Sequence, residues 1–245
     1  MAGVLTGHDD DRRLPRALLV LALASAFCGG LALTRVFYSG RTAYLWLGWN
    51  LVLAWVPLLL ALLIDHRHAA GRKPSRFTAW TLGAAWLAFF PNAPYLVTDL
   101  IHLRTRGSVP IWYDAMMVFA FALTGLCLAF LSLWLVHRLV ERGRGKAAGW
   151  VFVAVIAGLA GFGVYLGRYP RWNSWDVVTR PGELMADVAA HVQDPDPRAL
   201  GVTLLMGALF GVAYLMLFAL TSLGAGGSPR TPLPNPIPAK RGEGT

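Results

Sequence analysis

The chain has 245 residues, of which 56% are hydrophobic and only 14% are charged, with a formal net charge of +9. A soluble domain of this size carries about 25% charged residues, so the deficit excludes an ordinary water-soluble globule and points to a chain whose solvent is mostly lipid. The positive charge lies in short segments between apolar runs, where it sets orientation and meets anionic headgroups, and nucleic acid is not the expected partner.

A hydrocarbon core about 30 Å thick needs roughly 20 helical residues. Six runs meet or approach that length: 15–33, 43–64, 77–97, 112–136, 147–166 and 200–223. None alternates polar with apolar residues, so the expected class is all-α: a polytopic membrane protein with six transmembrane helices in one domain over 1–223. Arg12, Arg13 and Arg16 precede the first run, which has no small-x-small cleavage site after it and reads as an uncleaved anchor. Asn50 and Pro57 lie in the second run. The amide needs a partner on another helix, and the proline frees a carbonyl. Cys28 and Cys127 each fall inside an apolar run with no C-x-x-C spacing and read as packing residues.

The third run ends differently from the others. Pro91 and Pro94 lack amide protons and bias their predecessors away from helix. Asn92 can satisfy the freed backbone, and Tyr95 suits the headgroup layer. Asp99 and His102 are three apart, so in a short helix capped by Thr98 they face the same way. A carboxylate beside an imidazole makes a candidate acid–base pair; a salt bridge to Arg104 or Arg168 is the plain structural reading.

Asp114, near the start of the fourth run, is the carboxylate most drawn into the membrane. It must be paired there, with Arg168 or Arg171 as the expected partner. Gly163-x-x-x-Gly167 and Gly207-x-x-x-Gly211 in the last two runs are spaced for close helix approach. Between those runs, 181–192 reads as a short amphipathic interfacial helix, with Leu184, Met185, Val188 and Val192 on one face. The Gly-, Pro- and Ser-rich segment 224–245 is expected to be a disordered cytoplasmic tail. His137, like His66 and His68, is expected to be a solvated cap at a cytoplasmic helix end.

Most Lys and Arg fall in alternate segments, which predicts both termini in the cytoplasm. Under that topology Asn92, Tyr95, Asp99 and His102, then Asp114, then Arg168, Arg171, Trp172, Asn173, Trp175 and Asp176 share the extracytoplasmic face. Trp172 and Trp175 are either aromatic-belt residues or a stacking platform for a ligand. Only one His falls on this face unless His191 folds back, so no metal site is assigned, and the sequence leaves any cofactor open. Phosphate-loop, H-E-x-x-H and G-x-S-x-G patterns are absent, and Ser174 in Asn-Ser-Trp-Asp reads as a hydrogen-bonding loop residue.

Phe90-Pro91-Asn92-Ala93-Pro94-Tyr95 with Thr98-Asp99-Leu100, then Trp112-Tyr113-Asp114, then Gly163-Val164-Tyr165-Leu166-Gly167-Arg168 and Arg171-Trp172-Asn173-Ser174-Trp175-Asp176, resemble the bacterial membrane-protein family catalogued as domain of unknown function 1361, DUF1361. The resemblance covers roughly 43 to 223. It implies a multi-pass protein of the bacterial cytoplasmic (inner) membrane and carries no catalytic assignment.

Three functions are compatible with these residues. One is a site that binds or processes a lipid or cell-envelope precursor, with Asp99 and His102 as the acid–base pair, Asp114 nearby, Arg168 and Arg171 as an anion clamp, and Trp172 and Trp175 as the platform. The second is a small-solute or ion-coupled transporter using Asp114. The third is a non-catalytic partner subunit. Whether the protein is an enzyme, and its oligomeric state, stay open on the sequence.

Overall fold

The computed structural model describes residues 7–71, 75–103, 109–194 and 196–225. These form helices α1 (Gly7–Ser39), α2 (Trp46–Ala69), α3 (Arg76–Phe89), α4 (Asn92–Thr98), α5 (Ile111–Arg144), α6 (Lys146–Arg168), α7 (Asp176–Thr179), α8 (Pro181–Gln193) and α9 (Pro197–Ala225). A single 3-10 turn, Asp99–His102, follows α4. Among the described residues there is no strand, as expected for apolar segments that must satisfy their own backbone groups. Arg104 and the tail beyond 225 lie outside the described residues.

Among the described residues five helices are long and apolar enough to cross a bilayer: α1, α2, α5, α6 and α9. The expected third span is the difference. It is broken into α3, of 14 residues, and α4, of 7. At 1.5 Å per residue α3 reaches only about 21 Å, short of the core thickness. The cause is local. Pro91 and Pro94 donate no hydrogen bond, so the helical ladder misses two rungs in four residues. Pro94 falls in the first turn of α4, where a missing donor costs nothing. The Asn92 amide Nδ2 donates to the Phe89 carbonyl at 2.9 Å and closes the gap.

α5 is the most buried long helix and stands at the centre, packed by α1, α2, α4 and α6, while α9 lies against α6. Gly145 alone joins α5 to α6 at φ +87°, a left-handed conformation that side-chain-bearing residues avoid. The glycines of α6 serve two neighbours. A Cβ on Gly161 would collide with the Thr203 carbonyl and Gly207 of α9, and one on Gly163 with the Pro91 ring. A Cβ on Gly167 would lie 3.3 Å from the Tyr95 ring. Gly163-x-x-x-Gly167 therefore seats the proline break rather than α9. In the interior the Trp86 indole donates to the Ser132 hydroxyl at 2.9 Å, which donates to the Pro57 carbonyl at 2.9 Å. Cys28 and Cys127 are free thiols.

His137 is not a solvated cap. Its side chain is 1% exposed, its Nδ1 lies 3.0 Å from the Tyr214 hydroxyl, and the Trp150 ring meets it edge-on at 4.9 Å. α5 runs on to Arg144, a full two turns past the expected end of its span, so position 137 is still inside the bundle. Gly149 of α6 leaves room for the ring, since a Cβ there would meet it at 2.9 Å.

Candidate functional site

The ends of α1, α4 and α6 and the start of α5 meet at one level, held by two arginine–aspartate pairs. The first pair corrects the sequence expectation for Asp114. Its partner is Arg35 at the end of α1, not Arg168 or Arg171. The guanidinium grips both carboxylate oxygens, Nε to Oδ1 at 2.6 Å and Nη2 to Oδ2 at 3.0 Å. Both side chains are 1% exposed. Arg35 also donates to the Ala43 carbonyl and lies over the Tyr44 ring, whose centroid is 4.7 Å away. Tyr44 holds its place at φ +72° and donates its hydroxyl to the His102 carbonyl at 3.0 Å.

The second pair joins Arg168, the last residue of α6, to Asp99 in the turn after α4 at 3.1 Å. Arg168 divides its donors among Asp99, the Thr98 carbonyl, the Tyr95 hydroxyl and His102 Nε2. A guanidinium only donates, so His102 Nε2 accepts and the ring carries its proton on Nδ1. Asp99 and His102 thus face the same guanidinium, which stands between the carboxylate and the imidazole. The other Asp99 oxygen accepts from the Asn50 amide of α2 at 3.2 Å. Asp99 is fully buried, and burial pushes its carboxyl up to about 6 against the pull of Arg168 and Asn50.

Next to this node is a cavity of about 280 Å³ between α2, α3, α4 and α6. Its apolar walls include Leu53, Leu87, Leu159 and Phe162; its polar lining includes Asn50, Asn92, Tyr95, Asn173 and Ser174, with Trp49, Trp172 and Trp175. The proline break shapes it: Asn92 Nδ2 reaches across to the Ser174 hydroxyl at 2.7 Å, tying α4 to the loop after α6. Neither Arg168 nor Arg171 lines the cavity. Arg168 is turned to Asp99, and Arg171 is exposed at φ +65°.

The loop carries its own supports. Asp176 accepts from the Asn173 backbone amide at 2.8 Å and from Arg180 at 3.1 Å, and the Asn173 bond is the larger cause of its lowered pKa. Asp176 therefore organises the loop and does not line the cavity. The Trp172 indole donates to Asp187 of α8 at 2.7 Å with Arg180 over its ring, and His191 of α8 lies 3.1 Å from the Tyr165 hydroxyl. α8 forms where the sequence places a helix, but among its described side chains the inward ones are Leu184, Asp187, Val188 and His191, Met185 is 63% exposed, and the Val192 side chain lies outside the described residues. The inward face is set by the two polar anchors rather than by apolar spacing alone.

Among the described residues no three of His, Cys, Asp or Glu converge as metal ligands. Sequence reasoning missed Arg35 and Tyr44. A lone cation at the end of an apolar run, with a carboxylate opening another run, is the signal that pairs Arg35 with Asp114.

A protein-family model described as "Protein of unknown function (DUF1361)" matches residues 49–216, more than half of the chain. No curated protein and no solved structure matches it.

Proposed function

This chain belongs to the DUF1361 family, and from the geometry of its site we propose that it is an inner-membrane protein that binds an amphiphile, a lipid or cell-envelope precursor, at its extracytoplasmic face. In this reading α3 and α4 together make the sixth crossing. The support is that Asp99 after α4 bonds both Asn50 near the start of α2 and Arg168 ending α6, so the chain that leaves this level along α2 returns to it by α3 and α4. The bias of Lys and Arg supports both termini in the cytoplasm. α8 then lies along the outer interface.

The observation that carries the binding function is the cavity itself. Apolar walls from α2, α3 and α6 open beside amides, two hydroxyls and three indoles, which is the lining expected for a ligand with a chain at one end and hydrogen-bonding groups at the other. In this proposal Asp99, His102 and Arg168 form the positioning network behind the wall, Tyr95 and Asn92 shape the break, and Asp114 holds α5 to α1. Ligand contact falls to Asn173, Trp172 and Trp175 with Asn92 and Tyr95. Charged groups in the middle of the spans, which a coupled transporter needs, are lacking among the described residues, and this favours binding over transport.

The test is the lipid retained on purification. Mass spectrometry of the native protein should show one retained amphiphile species in excess over the bulk extract, and Trp175→Ala should lose it at unchanged protein yield. Identical lipid profiles for both proteins would refute the reading.

A further inference from the structure

This inference rests on the cavity reading above and names the headgroup. We propose that the ligand's polar end is uncharged and rich in hydroxyls, a sugar-type headgroup on an apolar chain, and not a phosphate. The donors and acceptors in the cavity are already partly committed, and the ones left over decide its preference. The Asn92 amide donates to the Phe89 carbonyl and to Ser174. The Asn50 amide donates to the Asp99 carboxylate. At neutral pH the Phe89 carbonyl and the ionised Asp99 carboxylate only accept, which fixes both amide orientations and leaves the Oδ1 atoms of Asn50 and Asn92 without a donor among the described residues. Free carbonyl oxygens attract hydroxyls and repel anions.

No Lys or Arg lines the cavity. Of the guanidinium groups around it, Arg168 is occupied with Asp99, His102 and two oxygens of the α4 segment, Arg180 is occupied with Asp176 and the Trp172 ring, and Arg171 is exposed outside the lining. A phosphate held among the lining residues would have to strip one of the two committed pairs or lose its hydration with only the solvent-exposed Arg171 beyond the lining to offset it, which is costly in an apolar setting. Hydroxyls both donate and accept, so they meet the free amide oxygens with no such penalty. Trp49 and Trp175, 56% and 39% exposed, offer flat apolar faces at the rim suited to the C–H faces of a sugar ring. Leu53, Leu87 and Phe162 take the chain.

The experiment compares two probes of equal chain length, dodecyl glucoside and dodecyl phosphate. Each is titrated in radiolabelled form onto the full-length protein in neutral-lipid nanodiscs, with empty nanodiscs as the blank. The expected result is saturable binding of the glucoside at one site, at least about tenfold tighter than the phosphate, and loss of that binding in Trp175→Ala and Trp49→Ala. Equal or tighter binding of the phosphate, abolished by the same substitutions, would overturn the headgroup assignment and leave the cavity as a binding site. Absence of saturable binding for both probes would overturn this inference together with the proposed function.

Discussion

Two arginine–aspartate pairs lie at the same end of this molecule and do different work. Arg35 and Asp114 close on each other: both carboxylate oxygens go to one guanidinium and both side chains are shut away from solvent. Arg168 and Asp99 are spread out. One oxygen of Asp99 goes to Arg168 and the other to Asn50, which lines the cavity, while Arg168 reaches three further acceptors. The same chemical pair is a lock in one place and a node in the other. The difference lies in connectivity, and the node adjoins the cavity through Asn50 and Tyr95.

Breaking the lock should have the largest effect. Asp114→Ala leaves Arg35 charged and buried without a carboxylate, and thermal unfolding in detergent should show a loss of about 3–5 kcal/mol. Replacing both partners, Arg35→Met with Asp114→Leu, should recover most of it. A double variant no better than the single one would mean that the pair is more than a lock.

The node should show itself through pH. The Asp99 carboxyl is raised from 3.8 to about 6, so between those values the folded chain holds more protons than the unfolded one. Its contribution to stability is full below the unfolded value and is lost as pH rises through the folded one, about 3 kcal/mol in all. Asp99→Asn should flatten that part of the stability–pH curve. A curve unchanged by the substitution would mean that Asp99 is not the titrating group.

Two smaller changes sharpen the contrast. Tyr95→Phe removes one of the acceptors that share Arg168 and should cost about 1 kcal/mol, read from the same unfolding curves. Trp175→Ala at the rim should stay within about 0.5 kcal/mol of the native stability while losing bound amphiphile, because an exposed side chain contributes little to packing. A large stability loss there would make Trp175 part of the frame.

Much of this contrast was written in the chain. The apolar runs give the five long helices directly, and Asn50 asks for a polar partner that α4's end supplies. The proline pair marks the break, although it splits the expected third span rather than merely closing it. Partner choice was less legible. Asp114 takes Arg35 because α1 packs on α5, a tertiary fact that no local spacing encodes. His137 is buried because α5 continues two turns beyond its apolar run, and apolar length does not report where a neighbouring helix still covers it. The anion clamp imagined for Arg168 and Arg171 depends on side-chain direction. Arg168 turns inward because Asp99 is buried and needs it, and charge counting along the sequence cannot see that.

The most direct measurement is photolabelling in native membranes with a light-activated alkyl glucoside, followed by peptide mapping. The account predicts label concentrated on the segments that bear Leu87 to Tyr95 and Leu159 to Trp175, with competition by excess unlabelled glucoside. Label spread evenly over the exposed apolar faces of α1 and α9, and insensitive to competitor, would contradict it.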